Sequence, residues 1–344
     1  MKRKIEALSL FLFIAILFLN TSCARKIGED AVPFLSFELL TNKEVESKSI
    51  YLNFWDIENG KAHLSKTPFY ECYSRTFAFP VFWSGGSTLY FNREIKPINK
   101  DIKLEIPLVA EFDTLESKIR IFSEFELEKK IVAEYILPPN VFPEDIFPNS
   151  SMNVGIVVSQ SNVLYVICTY PSLNPKDKQD MLTKLFIVSI ENSNVKSIPV
   201  QSTQIYSLNT PSFPLEKGYA LVNGKLLLPG RIIKSGFDKV EGSVISLSLA
   251  DGKLETFIPH GSFLGVFKQF VVTYGYLWKN DEYETEIIGV DCTAYKDKNL
   301  VSELKILKGP PPKIEIFRGG VLTDEIWIKK FDMNIFFPNL SFGE

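Results

Sequence analysis

Residues 185–199 read LFIVSIENSNVKSIP, and residues 244–259 read VISLSLADGKLETFIP. Each runs from an aliphatic, β-branched stretch of strand length through a polar turn into a shorter strand ending on Ile-Pro. The pattern has period two, the spacing of a strand, and not the 3.6 of a helix. The same outline returns in residues 51–64 (YLNFWDIENGKAHL) and 286–303 (EIIGVDCTAYKDKNLVSE). A second kind of hairpin precedes several of these units: residues 81–91 (VFWSGGSTLYF), 157–167 (VVSQSNVLYVI) and 220–228 (ALVNGKLLL). Ile119, Ile121, Ser123, Phe125 and Leu127 alternate in the same way with Arg120, Phe122, Glu124 and Glu126.

Turn chemistry separates these runs. Asn59-Gly60, Asn223-Gly224, Asp251-Gly252, Gly85-Gly86 and Gly319-Gly320 accept the positive φ values of a type I′ turn, so each predicts a tight hairpin. The best helical candidate is a stub over residues 176–182, in an insertion that begins PSLNP at Pro171. Arg231, Lys234 and Lys239 flank Gly236 in GRIIKSGFDKVEG (residues 230–242), which predicts a long contact loop. The fold class is therefore all-β. Two alternating hairpins per unit, at a spacing of roughly 45–60 residues, predict a β-propeller of four-stranded blades, because known blade repeats run ~40–50 residues. The expectation is six blades, or seven if residues 80–139 hide an extra hairpin. A pair of β-sandwiches or a β-solenoid would use the same strands. No WD, kelch or Asp-box repeat recurs, so the likeness to envelope β-propeller proteins is one of architecture, over most of residues 34–344.

The first 33 residues stand apart. Lys2, Arg3 and Lys4 precede ALSLFLFIAILFL at residues 7–19, an apolar run shorter than the roughly 18–20 residues that span a bilayer. Residues 1–22 read as an export signal. The run ends Asn20-Thr21-Ser22-Cys23, which resembles the lipobox of bacterial lipoproteins: a small residue, Ser22, before a cysteine. Asn20 departs from that pattern, where the class usually carries Leu. The resemblance implies that Cys23 becomes an acylated N-terminus and that residues 23–33 tether the body to membrane lipid. It places the protein in a bacterial cell envelope, facing the periplasm or the exterior. Each buried methylene of an acyl chain contributes about 0.8 kcal/mol, so two or more chains hold lastingly.

Composition restricts the chemistry. Thirty-eight basic residues against 41 acidic ones give net charge −3, with no basic stripe, which argues against nucleic acid as the main partner. Only His63 and His260 supply imidazole, which disfavours histidine-based metal and triad chemistry. There is no G-x-S-x-G, H-E-x-x-H, G-x-G-x-x-G, P-loop or calcium-loop motif, so neither a cofactor nor a metal site is expected. Cys72, Cys168 and Cys292 lie far apart, the last two within apolar runs suited to buried thiols.

Candidate contact residues come from aromatic and acidic segments beside turns. Trp83 precedes Gly85-Gly86, and Tyr276 and Trp278 precede the acidic stretch NDEYETE, in which Glu282, Glu284 and Glu286 would share a strand face. Loop-proximal aromatics stack on sugars or anchor protein interfaces. Acidic residues there would line a ligand site, or would merely keep a hairpin edge solvated. With Arg231, these residues suggest a binding or scaffolding module for a protein, peptide or glycan. The alternative is an extracytoplasmic hydrolase or lyase on glycans or peptides, with carboxylates in a propeller funnel.

Overall fold

The computed structural model describes residues 31–42, 45–68, 70–73, 80–84, 88–91, 94–97, 108–113, 116–125, 128–138, 141, 155–173, 181–201, 206–208, 219–233, 240–280 and 285–328. Among these the chain is all strand and turn, without a helix, and every strand pair is antiparallel. The first sheet holds β1 (Val32–Asn42), β2 (Val45–Asp56), β3 (Lys61–His63) and β4 (Tyr70–Tyr73), with β3 and β4 sharing one edge of β2. β5 (Pro80–Ser84), β6 (Thr88–Phe91) and β7 (Glu94–Pro97) form a three-stranded meander. β8 (Leu108–Asp113), β9 (Lys118–Phe125) and β10 (Glu128–Ile136) join β11 (Gly155–Gln160), β12 (Val163–Leu173), β13 (Met181–Glu191) and β14 (Asn194–Ile198) in the order β10-β9-β8-β11-β12-β13-β14. β15 (Tyr206–Leu208) and β16 (Ala220–Val222) share an edge of β17 (Lys225–Ile233), followed by β18 (Val240–Ser248) and β19 (Leu254–Ile258). The last sheet is a continuous meander of β20 (Ser262–Phe267), β21 (Phe270–Asn280), β22 (Thr285–Lys296), β23 (Asn299–Leu307), β24 (Lys313–Arg318) and β25 (Val321–Trp327).

The aliphatic runs that defined the pattern lie in sheets buried on both faces, which leaves few positions for polar residues. In β11–β13, Val157, Val166, Phe186 and Val188 pack toward Ala110, Phe112, Ile119 and Ile121 of β8 and β9. Phe112 and Phe186 meet edge to face at 5.6 Å. The alternate residues Ile156, Val158, Ile167 and Ile187 pack with Leu226, Leu228, Ile245 and Leu247 of β17 and β18. The opposite side of that sheet, through Ala220, Leu227 and Val244, meets Phe263, Val266 and Val271 of β20 and β21. Finally Val272, Cys292, Leu304, Ile306 and Ile316 of the last sheet bury Val32, Phe34 and Trp55 of the first. Burying one such side chain contributes roughly 1.5–3 kcal/mol, so these interfaces carry most of the favourable free energy of folding.

Polar contacts bind neighbouring sheets. Gln201, beyond β14, takes both backbone bonds of a bridge into the β18–β19 turn: its N–H donates to Gly252 and its carbonyl accepts from Leu254, each at 2.8 Å. The Tyr219 hydroxyl donates to the Val157 carbonyl at 3.3 Å, and burial pushes its pKa up to about 12.

Three local expectations need correction. Residues 181–182 lie in β13, whose ladder with β12 extends to Leu173 opposite Met181, so no helical stub occupies those positions. Arg231 belongs to β17, opposite Gly242 and Ser207, because Ile232, Ile233 and Val240 extend the β17–β18 ladder into the supposed loop. Asn59-Gly60 and Asp251-Gly252 do not form two-residue turns. Asp56 and Asp251 accept the backbone N–H of Asn59 and Lys253, and only the glycine of each pair has positive φ. Asn223-Gly224 and Gly319-Gly320 do form two-residue turns with both φ values positive. So do Ser161-Asn162, Asn192-Ser193 and Asp297-Lys298, which contain no glycine.

Candidate functional site

The last sheet positions the strongest candidate side chains on its two faces. β21 and β22 form its longest hairpin, and a bulge after Leu277 twists the β21 end. Tyr276 and Trp278 stand there, 54% and 52% exposed, with ring centroids 6.4 Å apart and planes at 66°. Tyr274, on the same strand, still packs against the core shared with the first sheet. Tyr276 and Trp278 thus continue a buried face out past the body. On the alternate face of the same arm, Glu286, opposite Lys279, pairs with Lys308 just past β23 at 3.0 Å. Exposed aromatics suit contact with a ligand that has its own apolar face.

The face pointing away from the first sheet is built from cross-strand rows. One row reads Gly275, Asp291, Lys305, Glu315, Glu325 from β21 to β25. A neighbouring row reads Thr273, Thr293, Glu303, Phe317, Leu322, and the other reads Leu277, Gly289, Leu307, Lys313, Trp327. Lys305 turns aside to Glu303 at 3.6 Å and lies over the Phe317 ring at 4.7 Å. Lys313 is held by Glu315 and by Glu325, the latter at 3.8 Å, and covers Trp327 at 5.3 Å. Asp291 is left over: its Oδ1 is buried with no hydrogen-bond partner. Burial first, and then the Glu303 carboxylate, push its pKa up to about 6, against the opposing pull of Lys305. Across the strand pair, a side chain built on Gly275 would meet nothing within 4 Å. Such a carboxylate is charged above about pH 6 and carries a proton below it.

The sequence-predicted residues are not gathered into one place. Tyr276 and Trp278 are adjacent and exposed as expected. Trp83 lies in β5 opposite Leu89, and Arg231 lies in β17 of another sheet. Cys23, Glu282 and Glu284 lie outside the described residues. His63 is half-buried in β3 and His260 is exposed in the turn before β20, and among the described residues no group of three or more potential metal ligands forms. Cys292 is buried, which pushes its thiol well above the ordinary range and leaves it inert. Asp291 is the residue that sequence reasoning missed. The signal available was the alternation of charge in SELKIL and KIEIFR, which marks a polar face beside VDC.

No protein-family model matches the chain, and no curated protein matches it in sequence. Among solved structures, a family 117 glycoside hydrolase from the marine bacterium Zobellia galactanivorans is similar at a TM-score of 0.28 and 14% identity, over 88% of this chain and 72% of that one. Porphyromonas gingivalis dipeptidyl peptidase 4 gives 0.26 and 11%, over 85% of this chain and 50% of its own. A candidate 6-phosphogluconolactonase from Bacteroides fragilis gives 0.23 and 14%, over 88% and 96%. Likeness at this level says nothing about activity.

Proposed function

We propose that the chain is a lipid-anchored binding protein of a bacterial cell envelope, with a six-bladed β-propeller body and a ligand-contacting hairpin at β21–β22. The observation that carries the binding role is the exposed Tyr276–Trp278 pair. The propeller reading is supported by the order of packing. β8–β10, β11–β14, β15–β19 and β20–β25 stack in sequence, and β20–β25 then stacks on β1–β4. β5–β7 is the remaining unit, and chain order places it between the first and third blades. β8 and β11 are joined through only Ala110–Gly155 and Val109–Ile156, so they are counted as neighbouring blades. The anchor rests on Cys23 and the apolar run before it. The ligand is a protein, peptide or glycan that offers an apolar face to the two rings.

The binding role is tested on glycan and peptide arrays with the mature chain and its Tyr276→Ala/Trp278→Ala variant. The parent is expected to retain a ligand that the folded variant loses. A parent that retains nothing, or a variant that retains the same ligand equally, overturns the reading. Anchoring is tested separately: Cys23→Ala is expected to release the chain from the membrane fraction, and unchanged fractionation and acylation contradict it.

A further inference from the structure

We propose that residues 275–278 of β21 receive an extended peptide as an added strand, an inference that rests on the reading of Tyr276 and Trp278 as a contact site and names its ligand class. β21 runs to Asn280 and keeps β22 beside it to the end, with Asn280 opposite Thr285. Its other neighbour stops early. The β20 ladder begins at Ser262 opposite Tyr274, and among the described residues no strand continues it past that point. The cause is the short link from β19. Residues 259–261 carry the chain from Ile258, in the preceding sheet, to Ser262, and Gly261 turns there with φ of +85°. A Cβ on Gly261 would stand 2.7 Å from the Thr273 hydroxyl oxygen, so the turn lies tight against β21 where the chain departs. In an antiparallel ladder every second residue directs both its N–H and its C=O to the same side. Residues 275–278 therefore present backbone donors and acceptors on the side that β20 vacates, and no strand among the described residues takes them.

The usual protections of a sheet edge are missing here. Such edges carry proline, charge or a bulge, or lie under another element. Residues 275–278 read GYLW, without proline or charge. The bulge at this level extrudes Ile288 from β22 and leaves β21 regular, and the Ile288 carbonyl accepts the Lys308 N–H at 2.8 Å. Tyr276 and Trp278 are more than half exposed, so this length of strand is open to solvent. Because β21 is regular, both rings lie on one face and Gly275 and Leu277 on the other. The two faces define the partner. A strand laid along the edge sets alternate side chains roughly 5 Å from those of Tyr276 and Trp278, where apolar groups cover the rings. On the other face Gly275 has no side chain, and a Cβ built on it would meet nothing within 4 Å, so a bulky partner residue fits beside it. A glycan has no series of N–H and C=O groups at strand spacing to match this edge, whereas an extended peptide does. The ligand is therefore a short extended segment with apolar side chains at alternate positions.

The test uses the mature chain and the acetylated, amidated peptide Lys-Val-Thr-Val-Thr-Lys, followed by NMR amide shifts and hydrogen exchange. Two analogues carry N-methyl groups, one on both valines and one on both threonines. Each blocks one edge of the extended peptide and leaves its side chains unaltered. The parent peptide is expected to bind at millimolar concentration and to slow exchange at alternate amides within residues 275–278. One analogue is expected to bind about tenfold weaker, the equivalent of 1.4 kcal/mol, and the other to bind as the parent does. The folded Tyr276→Ala/Trp278→Ala variant is expected to lose affinity for the parent peptide by a similar factor. Two analogues that bind alike, or binding without slowed exchange at residues 275–278, overturns strand addition, while a loss in the double variant still upholds the aromatic contact site. Absence of peptide binding also overturns strand addition, and a glycan held by the parent protein and lost by the double variant then keeps the contact site. Affinity and slowed exchange both unchanged in the double variant would overturn the role of the rings and leave the strand edge alone as the site.

Discussion

The Asp324 carboxylate accepts the backbone N–H of Ala62 at 3.2 Å, across 262 positions of sequence. Beside it, the Thr323 hydroxyl donates to the Gly60 carbonyl at 2.8 Å. β3 and β25 thus meet through side chains. This clasp, with the apolar interface beneath it, joins the first sheet to the last. Each bond contributes about 1 kcal/mol net. Thr323→Val and Asp324→Ala are each expected to lower stability by about 1 kcal/mol, and to speed hydrogen exchange at Ala62 before that of the central strands β17 and β18. Unchanged exchange at Ala62 in Asp324→Ala would show that the clasp does not hold the two sheets.

Asp291 predicts an inverted pH dependence. Its carboxyl ionises near 6 in the folded chain against 3.8 when free, because burial and Glu303 disfavour the charged form. A raised carboxyl pKa contributes stability that is complete below 3.8 and lost as pH rises through 6. Asp291→Asn is therefore expected to be more stable than the parent at pH 7.5, by about 1–2 kcal/mol after allowance for solvent screening, and equal to it near pH 3.5. Denaturant melts across this range check it, and a variant less stable at pH 7.5 would contradict the assignment.

Gly252 has φ of +72°, and a Cβ there would strike the Pro199 carbonyl beside the Gln201 bridge. Gly252→Ala is expected to cost about 1–3 kcal/mol in thermal or urea unfolding, through steric displacement of that bridge and the left-handed backbone. Gly319→Ala, with φ of +55° and open space around it, carries the backbone strain alone and is expected to cost less. Equal costs would mean that the bridge is not fixed as described.

The tryptophans are expected to divide by environment. Trp55 is fully buried with its Nε1 unpaired, whereas Trp278 and Trp327 are more than half exposed. Iodide is expected to quench the emission removed by Trp278→Phe or Trp327→Phe, and to spare the emission removed by Trp55→Phe. Strong quenching of the Trp55 component would contradict the packing of the first sheet on the last.

Strand content was legible because it is local. LFIVSI and VISLSL keep strand spacing, and their uninterrupted apolar character follows from burial on both faces. The turns were less legible. Asp56 and Asp251 lengthen their turns by accepting backbone N–H groups, while Ser161-Asn162 and Asp297-Lys298 take left-handed φ values that glycine would have advertised. Gly230 looked like a loop residue but is a packing one, since a side chain there would collide with Ile245. Tyr276 and Trp278 were found because an exposed pair two residues apart is visible along one strand. Asp291 was not, because its row depends on the register of five strands, which no single segment encodes.

The proposed six-bladed propeller is tested most directly by a crystal structure of residues 23–344 at side-chain resolution. The account predicts six blades around one axis, with β1–β4 packed on β20–β25 through Trp55 and Cys292, and β5–β7 completing the ring between β1–β4 and β8–β10. An open stack, or two separate sandwiches with Trp55 away from Cys292, would contradict it.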